Sequence, residues 1–589
     1  MARHATRRCG AHFPERDEDT EKRRLASGNP WERLPVRPFV LFLSSAIALA
    51  TLLGQSPARA TPPEPWSDAD PEAPPMRLAL GDFGFRGGTE YRANFLTVQP
   101  LALNDETARN ASWIEHRLRL DGTVDYIDKV KITTSVDALD GVLWGDNGDL
   151  GRAPESSSGA NINSKNVNAA QLCLGATAGG NPFDPKSYSY TNCPADTFFI
   201  RRLYGDIVTP IGLFRIGRQA TTAGSAVALN DGDGRHNRFG FANRGNSVDR
   251  ILFATKPLEA FKPKDQRDKT ESKGTFLILA YDRVVGDAPQ ILNDDVHQWV
   301  TAVRFLGPEV TKKLKDVELR AFHAHRWDVR NDTKVNAFGA RASARYADLY
   351  AGIDATAIVG KTREVSEALR VISNDPAQSQ DVRQLGVRAV LRYDRPKFSI
   401  YFETDYASGD SDPQVGTPLT QFNFAPDSNV GLLMFKHALA YQTGRVAAAA
   451  TELLKSLKAP TIPVESVATN GAFTNAFAIF PQVDVRPIDN LLIRGGVLMA
   501  WSPAPVIDPI FSQQRRDGVN IQDDLVNFVG GKPGSFYGTE LAGRVQYRMY
   551  DHFAFDFEGA VLFPGDAFKD ADGYAARSVL LQGRTTFFF

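Results

Sequence analysis

The sequence contains little cysteine, and its charges are almost balanced. Three cysteines in 589 residues, Cys9, Cys173 and Cys193, are too few for a disulfide-dense scaffold or a cysteine-rich zinc module. The 68 Lys and Arg residues are matched by 69 Asp and Glu residues. Because binding to nucleic acid needs a basic excess that displaces counterions from phosphates, nucleic acid is not an expected partner.

Long apolar runs and catalytic motifs are also scarce. The mean hydropathy is −0.28, whereas a multi-helix membrane protein needs repeated apolar runs of about 20 residues. The sequence contains no GxSxG, HExxH or P-loop motif. His323 and His325 share a strand face without a serine motif beside them. The sequence therefore predicts a protein that is not an enzyme, with no catalytic residues, no metal site and no cofactor.

One apolar run does stand near the start of the chain. It covers residues 39–53, follows Arg33 and Arg37, and precedes an Ala-Arg-Ala motif that ends at Ala60. These features predict that residues 1–60 are a secretory signal peptide that is removed. An uncleaved anchor helix is the alternative. The long charged stretch before the run also fits a misassigned start codon.

Removal of this leader leaves Cys173 and Cys193 as the only cysteines. They lie in a segment rich in Gly, Asn and Ser. In an exported chain, two thiols at this spacing most simply form a disulfide that closes a loop. Two unpaired or metal-binding thiols are the alternative.

From about Tyr91 onward, apolar and polar residues alternate along the chain. In residues 553–563, for example, Phe555 and Phe557 share one face, whereas Asp556 and Glu558 share the other. Only the two-residue period of a β-strand sorts these side chains in this way. Soluble strands usually run about five or six residues, whereas a tilted strand needs about nine to eleven to cross a bilayer. The long alternating stretches therefore favour membrane-spanning strands.

Repetition of this pattern predicts an all-β fold, a transmembrane antiparallel up-and-down β-barrel of about 18 strands, within a range of roughly 16 to 20. The strands start near residues 89, 110, 126, 196, 211, 247, 273, 293, 314, 333, 348, 380, 396, 473, 489, 537, 552 and 577. Short connections, as at 394–396 and 487–490, alternate with long polar loops at 140–195, 410–472 and 503–536. Short turns on one rim and long extracellular loops on the other are typical of such barrels. We expect residues 61–80 to be a disordered periplasmic tail and 81–589 to form the barrel.

The strand pattern also predicts which side chains face the lumen. If the apolar rows face lipid, the opposite rows face a water-filled interior. The predicted pore-lining residues are Glu115, Arg117, Arg119, Arg215, Arg388, Arg392, Glu403, Arg494, Glu540, Arg544, Arg548, Asp556, Glu558 and Arg584. Such charges act on solutes at short range and would favour small polar or anionic ones. The alternative is that they pair with one another and only keep the inner wall polar.

Two further features of the barrel are predicted. Aromatic residues near strand ends fit interfacial girdles, although each also fits ordinary packing; they are Trp113, Tyr393, Trp501, Tyr537 and Tyr547. Residues 431–458 are rich in helix formers and precede Pro460. They predict a helical insertion in a long loop that folds over or into the lumen, or else a rim element without a gating role.

Several motifs resemble those of known barrels. The end of the chain, residues 577–589, resembles the terminal strand that the barrel-assembly machinery of Gram-negative bacteria recognises, with Phe589 as the final residue. Residues 203–219 resemble a strand, turn and strand of general porins. Residues 406–410 and 537–541 resemble motifs of alginate-export-type barrels. With residues 430–435, 480–481 and 562–568, they are similar to an uncharacterised outer-membrane barrel family of myxobacteria, over most of residues 80–589.

This resemblance implies an outer-membrane location but no settled substrate. The sequence predicts an outer-membrane channel for passive diffusion of small hydrophilic or anionic solutes. An export barrel for an acidic polysaccharide and a non-conducting structural barrel are the alternatives. The expected partners are outer-membrane lipid, lipopolysaccharide, the barrel-assembly machinery and small solutes.

Overall fold

The computed structural model describes residues 76–589 apart from several loop segments. The segments outside the described residues are 101–102, 104–110, 128, 146–174, 177–187, 190–195, 221–226, 228–236, 242–246, 269–271, 287–295, 330, 426, 444–468, 470, 508–533 and 570–572. The predicted signal peptide, residues 1–60, and the predicted disulfide between Cys173 and Cys193 also lie outside the described residues. Both stay predictions.

Eighteen long strands form one barrel, in which each strand pairs in antiparallel fashion with the next. They are β1 (Phe83–Gln99), β2 (Ala111–Tyr126), β3 (Val130–Gly145), β4 (Asp196–Thr209), β5 (Gly212–Ala220), β6 (Ser247–Thr255), β7 (Gly274–Gly286), β8 (His297–Glu309), β9 (Leu314–Asp328), β10 (Thr333–Tyr346), β11 (Leu349–Thr362), β12 (Gln380–Asp394), β13 (Phe398–Ala407), β14 (Ala476–Ile488), β15 (Leu491–Trp501), β16 (Phe536–Met549), β17 (Phe553–Pro564) and β18 (Ser578–Phe588). The predicted fold class is confirmed. Every strand except β1 begins within about four residues of its predicted start, whereas β1 begins at Phe83 and not near residue 89.

The barrel closes between its first and last strands. Glu90 of β1 pairs with Phe588 of β18, and the register continues to Gln99 and Val579. At one end of this seam, the backbones of Thr89 and Phe589 exchange hydrogen bonds of 2.7 and 2.8 Å. Closure leaves no unpaired strand edge along the barrel wall, as a lipid environment requires.

A short strand precedes the barrel and corrects one prediction. Residues 61–80 were expected to be a disordered tail, but Met76–Leu80 pairs with the first residues of β1. This pairing is available because β1 extends past the end of its partner β18, which leaves the start of β1 with β2 on one side only. Residues 61–75 lie outside the described residues.

The two rims of the barrel differ. One rim carries mostly short turns, such as residues 210–211 and 347–348, a longer connection between β6 and β7 at residues 256–273, and both ends of the barrel chain. The other rim carries the longer connections, including residues 408–475 between β13 and β14. One of these loops forms a helix that sequence patterns did not predict, α1 (Glu364–Ser373), which buries Leu369 and Ile372. Among the described helices, none has both the length and the apolar character needed to cross a bilayer.

Side chains alternate between the two faces of the barrel wall along each strand. In β12, Leu385 and Leu391 are exposed on the outer face, whereas Arg388 and Arg392 are buried on the inner face. Other exposed apolar residues on the outer face are Phe95, Leu120, Ile132, Val303, Leu319, Ile353, Val359, Phe402, Val483, Leu541 and Phe555. The charges are therefore concentrated inside the barrel.

Candidate functional site

The inner wall holds all of the predicted pore-lining residues. Strand alternation places on it Glu115, Arg117 and Arg119 of β2, Arg215 of β5, Arg388 and Arg392 of β12, Glu403 of β13, Arg494 of β15, Glu540, Arg544 and Arg548 of β16, Asp556 and Glu558 of β17, and Arg584 of β18. Most of them are buried. Whether these residues line an open channel depends on which other parts of the chain cover them.

Buried ion pairs join neighbouring strands around this wall. Arg119 binds Asp137 of β3 through two hydrogen bonds of 2.6 and 2.9 Å. Arg388 lies 2.7 Å from Asp405 and 3.2 Å from Glu403, both on β13. Further pairs between neighbouring strands link Arg117 to Glu90, Arg215 to Asp206, and Arg544 and Arg584 to Asp556, whereas Arg392 pairs with Asp394 on the same strand. Each pairing compensates the cost of removing a charge from water.

Two loop segments fold into the barrel and cover part of the inner wall. We call residues 237–241, between β5 and β6, the first inserted segment, and residues 422–425 and 427–443, between β13 and β14, the second. They bind each other through Asn237, whose side-chain NH2 group donates to the carbonyl of Asp427 at 3.0 Å. The side-chain oxygen of Asn237 accepts the backbone N–H of Asn429 at 2.8 Å.

The second inserted segment is held by a carboxylate of the wall. Glu540 accepts the backbone N–H groups of Leu432, Leu433 and Met434 at 2.6, 3.1 and 2.7 Å. These groups begin a short helical stretch, π-helical over Met434–Leu439, and the first N–H groups of a helix lack partners within it. Part of the predicted helical insertion at 431–458 is therefore inside the barrel, and residues 444–458 lie outside the described residues.

The first inserted segment is held by arginines of the wall. Arg494 donates to the carbonyl of Arg238 at 2.6 Å, and Arg544 donates to the same carbonyl at 3.0 Å. The side chain of Arg238 lies 2.8 Å from Asp484, which also binds Arg494 at 2.7 Å. The backbone N–H of Gly240 donates to Glu558 at 2.9 Å. In this structure, these charged groups thus bind the backbone of the first inserted segment instead of facing an open lumen.

An apolar cluster forms where the inserted segments meet the wall. Phe435 packs against Phe473 and Tyr537, with ring centroids 4.8 and 5.7 Å apart. The cluster also contains Phe239, Phe422, Phe424, Leu432, Leu433, Met434, Leu498 and Phe568. It fills the long-loop end of the barrel on the side of β14–β18.

Two predicted girdle residues belong to this interior instead. Trp113 is buried and donates through Nε1 to Glu115 at 3.1 Å, because it shares the inward parity of Glu115 in β2. Tyr537 is also buried, and its hydroxyl donates to the carbonyl of Asn475 at 3.0 Å. The ladder between β15 and β16 shifts register at this point, so Tyr537 faces inward. The girdle prediction is wrong for both residues.

A buried histidine lies in the second inserted segment. The ring centroid of His437 is 6.3 Å from that of Trp113. Burial, with a further contribution from the neighbouring Lys436 cation, lowers the pKa of His437 to about 3. Burial also lowers the pKa of Lys436, while the carboxylates of Glu115 and Asp427 oppose that shift. His437 is therefore neutral at ordinary pH.

In the wall away from the inserted segments, one arginine keeps contact with water beside two whose side chains are largely buried, at 10% and 8% exposed. Arg304 of β8, Arg320 of β9 and Arg341 of β10 stand directly opposite one another across adjacent strands. We call them the arginine row. The side chain of Arg304 is 35% exposed, whereas that of Arg494 on the covered wall is 0% exposed. An inward side chain with this exposure has space for water next to it inside the barrel.

The arginine row shares few carboxylates. Glu318 lies 2.9 Å from Arg304 and 3.3 Å from Arg341, and Asp354 lies 3.3 Å from Arg320. Glu318 thus contacts two arginines of the row, and Asp354 contacts the third. The sequence predictions missed this row, although the same two-residue period places all three arginines inward. In the described part of the chain, no group of three or more His, Cys, Asp or Glu residues is placed to hold a metal ion.

Comparison with known proteins gives matches only among solved structures. No family model matches the chain, and no curated protein sequence does. OccAB1 of Acinetobacter baumannii is similar over 89% of this chain and 99% of its own, with 9% identity and a TM-score of 0.45. OpdK of Pseudomonas aeruginosa, solved with vanillate, is similar over 85% of this chain and 98% of its own, with 9% identity and a TM-score of 0.41. A BenF-like porin from Pseudomonas fluorescens Pf-5 is similar over 86% of this chain and 99% of its own, with 9% identity and a TM-score of 0.42.

The location follows from the barrel itself. Its outer face is apolar, its inner face is charged, and its wall is closed, which together satisfy the requirements of a lipid bilayer. The protein is a β-barrel of the bacterial outer membrane. Short turns face the periplasm in such barrels and long loops face outward, so the rim with residues 408–475 is extracellular. The outer face of this outer-membrane barrel contacts membrane lipid.

Proposed function

We propose that this outer-membrane barrel is a passive channel for small hydrophilic solutes, with a preference for anions. The observation that carries the proposal is the arginine row, in which the Arg304 side chain keeps contact with water while those of Arg320 and Arg341 are largely buried. Like charges directly opposite one another on adjacent strands repel. An anion beside Arg304, Arg320 and Arg341 relieves this repulsion, as Glu318 and Asp354 already do from the wall.

The inserted segments set the width of this path. They fill the side of the barrel near β14–β18, so a solute passes along β8–β11. An ion in a narrow channel meets the charges of the wall at short range, where they act most strongly. One unit charge at 4 Å contributes about 1 kcal/mol even in a water-like medium. Such a contribution changes anion occupancy roughly fivefold.

Planar-bilayer recording of the refolded protein tests the channel. The wild-type protein is expected to conduct, with a reversal potential in a salt gradient that shows anion preference. Arg304→Gln and Arg341→Gln should each move this potential toward cation preference. Lys361→Gln, which removes the same charge from the exposed outer face, should leave the potential unchanged.

Three results contradict the proposal. Absence of current would leave a non-conducting structural barrel, in agreement with the inserted segments. An unchanged potential in the Arg304 and Arg341 variants would show that the row does not contribute to selectivity. Loss of a secreted acidic polysaccharide on gene deletion, with no small-solute defect, would favour an export barrel.

The remaining sequence predictions belong to the same proposal. Residues 1–60 would direct export and be removed, and Cys173 and Cys193 would form a loop disulfide in the oxidising periplasm. The barrel-assembly machinery would recognise the last strand through Phe589. The resemblance to myxobacterial and alginate-export-type barrels stays a prediction. We assign no catalytic residue or cofactor.

A further inference from the structure

Aromatic residues form a row on the outer face of the barrel at the extracellular ends of β7–β9. Tyr281, Trp299 and His325 stand opposite one another on adjacent strands. The ring centroids of Tyr281 and Trp299 are 4.9 Å apart. Their sequence neighbours Asp282 and Gln298 are buried on the inner wall, so these rings face outward. They stand at the level where aromatic residues of membrane barrels meet the lipid headgroups.

A second row lies directly above the first, toward the extracellular loops. It runs from His297 through Trp327 to Lys334 and Lys361. The rings of His297 and Trp327 stack with centroids 5.7 Å apart. The Lys334 and Lys361 side chains are 69% and 68% exposed. The row therefore changes along its length from aromatic to cationic.

The two lysines create a local excess of positive charge. They stand directly opposite each other on β10 and β11, an arrangement in which like charges repel. Lys334 lies 2.9 Å from Asp332, and Lys361 lies 3.8 Å from Asp381. Asp381 also binds Arg383, at 2.8 Å. Three cations thus share two carboxylates, and a further anion is favourable here.

Below the two rows, the outer face is smooth and apolar. Val303, Ala321, Ala340 and Ala355 follow one another across β8–β11. Alanine side chains leave a shallow strip next to the taller ring of Phe338, which is exposed on the same face. Such a strip lets an extended acyl chain lie close to the barrel wall. Cations above, rings in the middle and a shallow apolar strip below match an amphiphile with a phosphorylated headgroup.

We propose that this surface binds lipid A, the phosphorylated glycolipid of lipopolysaccharide, with a phosphate near Lys334 and Lys361. The surface faces the outer leaflet, so its occupant is a lipid of that leaflet. Polar groups at the level of the rings suit a sugar headgroup: Asn336 Oδ1 lies 3.0 Å from His323 Nε2 and from His325 Nδ1. This pair of histidines, which the sequence left without a role, thus stands beside the aromatic row.

Binding of purified lipid A to the intact barrel tests the proposal. The barrel in detergent is mixed with diphosphorylated lipid A, with the same lipid after phosphate removal, or with phosphatidylglycerol, and bound lipid is counted by native mass spectrometry. The double variant Lys334→Gln/Lys361→Gln should bind diphosphorylated lipid A about tenfold more weakly than the wild type. The matched variant Lys313→Gln/Lys315→Gln removes two charges at the opposite rim and should bind as the wild type does.

The outcomes separate this proposal from the channel. Equal retention of lipid A by the wild type and the Lys334/Lys361 variant would overturn it. So would equal binding of lipid A with and without phosphates, or tighter binding of phosphatidylglycerol. The variant should fold and conduct like the wild type in bilayers that contain no lipopolysaccharide. A variant that loses lipid A binding but keeps normal conductance therefore supports the lipid site independently of the channel.

Discussion

The carboxylate of Glu540 accepts the backbone N–H of Met434 at 2.7 Å, which joins the barrel wall to the second inserted segment. The same carboxylate accepts the N–H groups of Leu432 and Leu433, so one side chain satisfies the start of a helical stretch. The contact depends on the backbone of the segment rather than on its side chains. A single wall residue therefore holds the start of a stretch in which the sequence predicts a helical insertion, over residues 431–458.

Replacement of this carboxylate should release the segment. Glu540→Ala leaves three buried N–H groups without their acceptor, and each such loss costs about 1–3 kcal/mol. We expect higher single-channel conductance and faster protease cleavage within residues 422–443. Glu540→Gln keeps one carbonyl acceptor and should give an intermediate effect. Glu309→Ala removes an exposed carboxylate at the periplasmic rim and serves as the control. Wild-type conductance and cleavage in Glu540→Ala would show that other contacts hold the segment.

The buried carboxylate of Asp484 should be important for stability. It binds Arg238 of the first inserted segment at 2.8 Å and Arg494 of the wall at 2.7 Å. Asp484→Asn leaves two buried guanidinium groups without their shared anion, and breaking a buried pair typically costs about 3–5 kcal/mol. Urea unfolding, followed by the gel mobility of unheated samples, should show a lower midpoint. Asp249→Asn disrupts an exposed pair with Arg218 and should change stability by less than about 1 kcal/mol.

Strand alternation made much of the wall predictable. The two-residue period places Glu115, Arg117 and Arg119 inward from the sequence alone, and the structure agrees. A helical insertion over residues 431–458 was predicted, but the contacts that hold the inserted segments were beyond this reasoning, because they join residues far apart in the chain. Arg238, for example, binds Asp484, 246 residues away. No local pattern indicates such a pair.

Local irregularities explain the errors at single residues. Tyr537 precedes Gly538, whose φ of +126° accompanies a register shift between β15 and β16. A strict two-residue period carried through this point assigns Tyr537 to the wrong face. The error at Trp113 has another cause, because Trp113 and Glu115 are two residues apart on β2 and therefore face the same side of the wall. The assignment of Trp113 to a girdle rested on residue type and neglected the strand period.

Acid should loosen the second inserted segment through His437. Burial holds the pKa of this ring at about 3, below its ordinary value of 6.5, so the inserted form binds fewer protons than the released form. Its contribution is complete above about pH 6.5 and is lost as the pH falls toward 3. At pH 5 the penalty is about 2 kcal/mol. Conductance should therefore rise between pH 7 and pH 5.

The groups that face His437 define the control for this experiment. Lys436 on the same segment is the charge that acts on the pKa of His437. The carboxylates of Glu115 on β2 and Asp427 near the start of the segment act on Lys436. His437→Phe keeps a buried ring of similar size and removes the titration, so the conductance of this variant should change much less with pH. An equal rise in the wild type and in His437→Phe would assign the effect to another group, and no rise in the wild type would contradict the prediction.

The last residue has two separable roles, and variants at this position distinguish them. The backbone of Phe589 exchanges two hydrogen bonds with Thr89 at the seam, while its ring is 62% exposed on the outer side of the barrel. Deletion of Phe589 removes both features, whereas Phe589→Ser keeps the backbone bonds and removes only the ring.

If the barrel-assembly machinery recognises the terminal ring, both variants should give little folded barrel in cells, measured as the fraction with heat-modifiable gel mobility. Phe563→Ser, which removes another exposed ring, should assemble normally. Normal assembly of Phe589→Ser with failure of the deletion would limit the role of Phe589 to closing the seam.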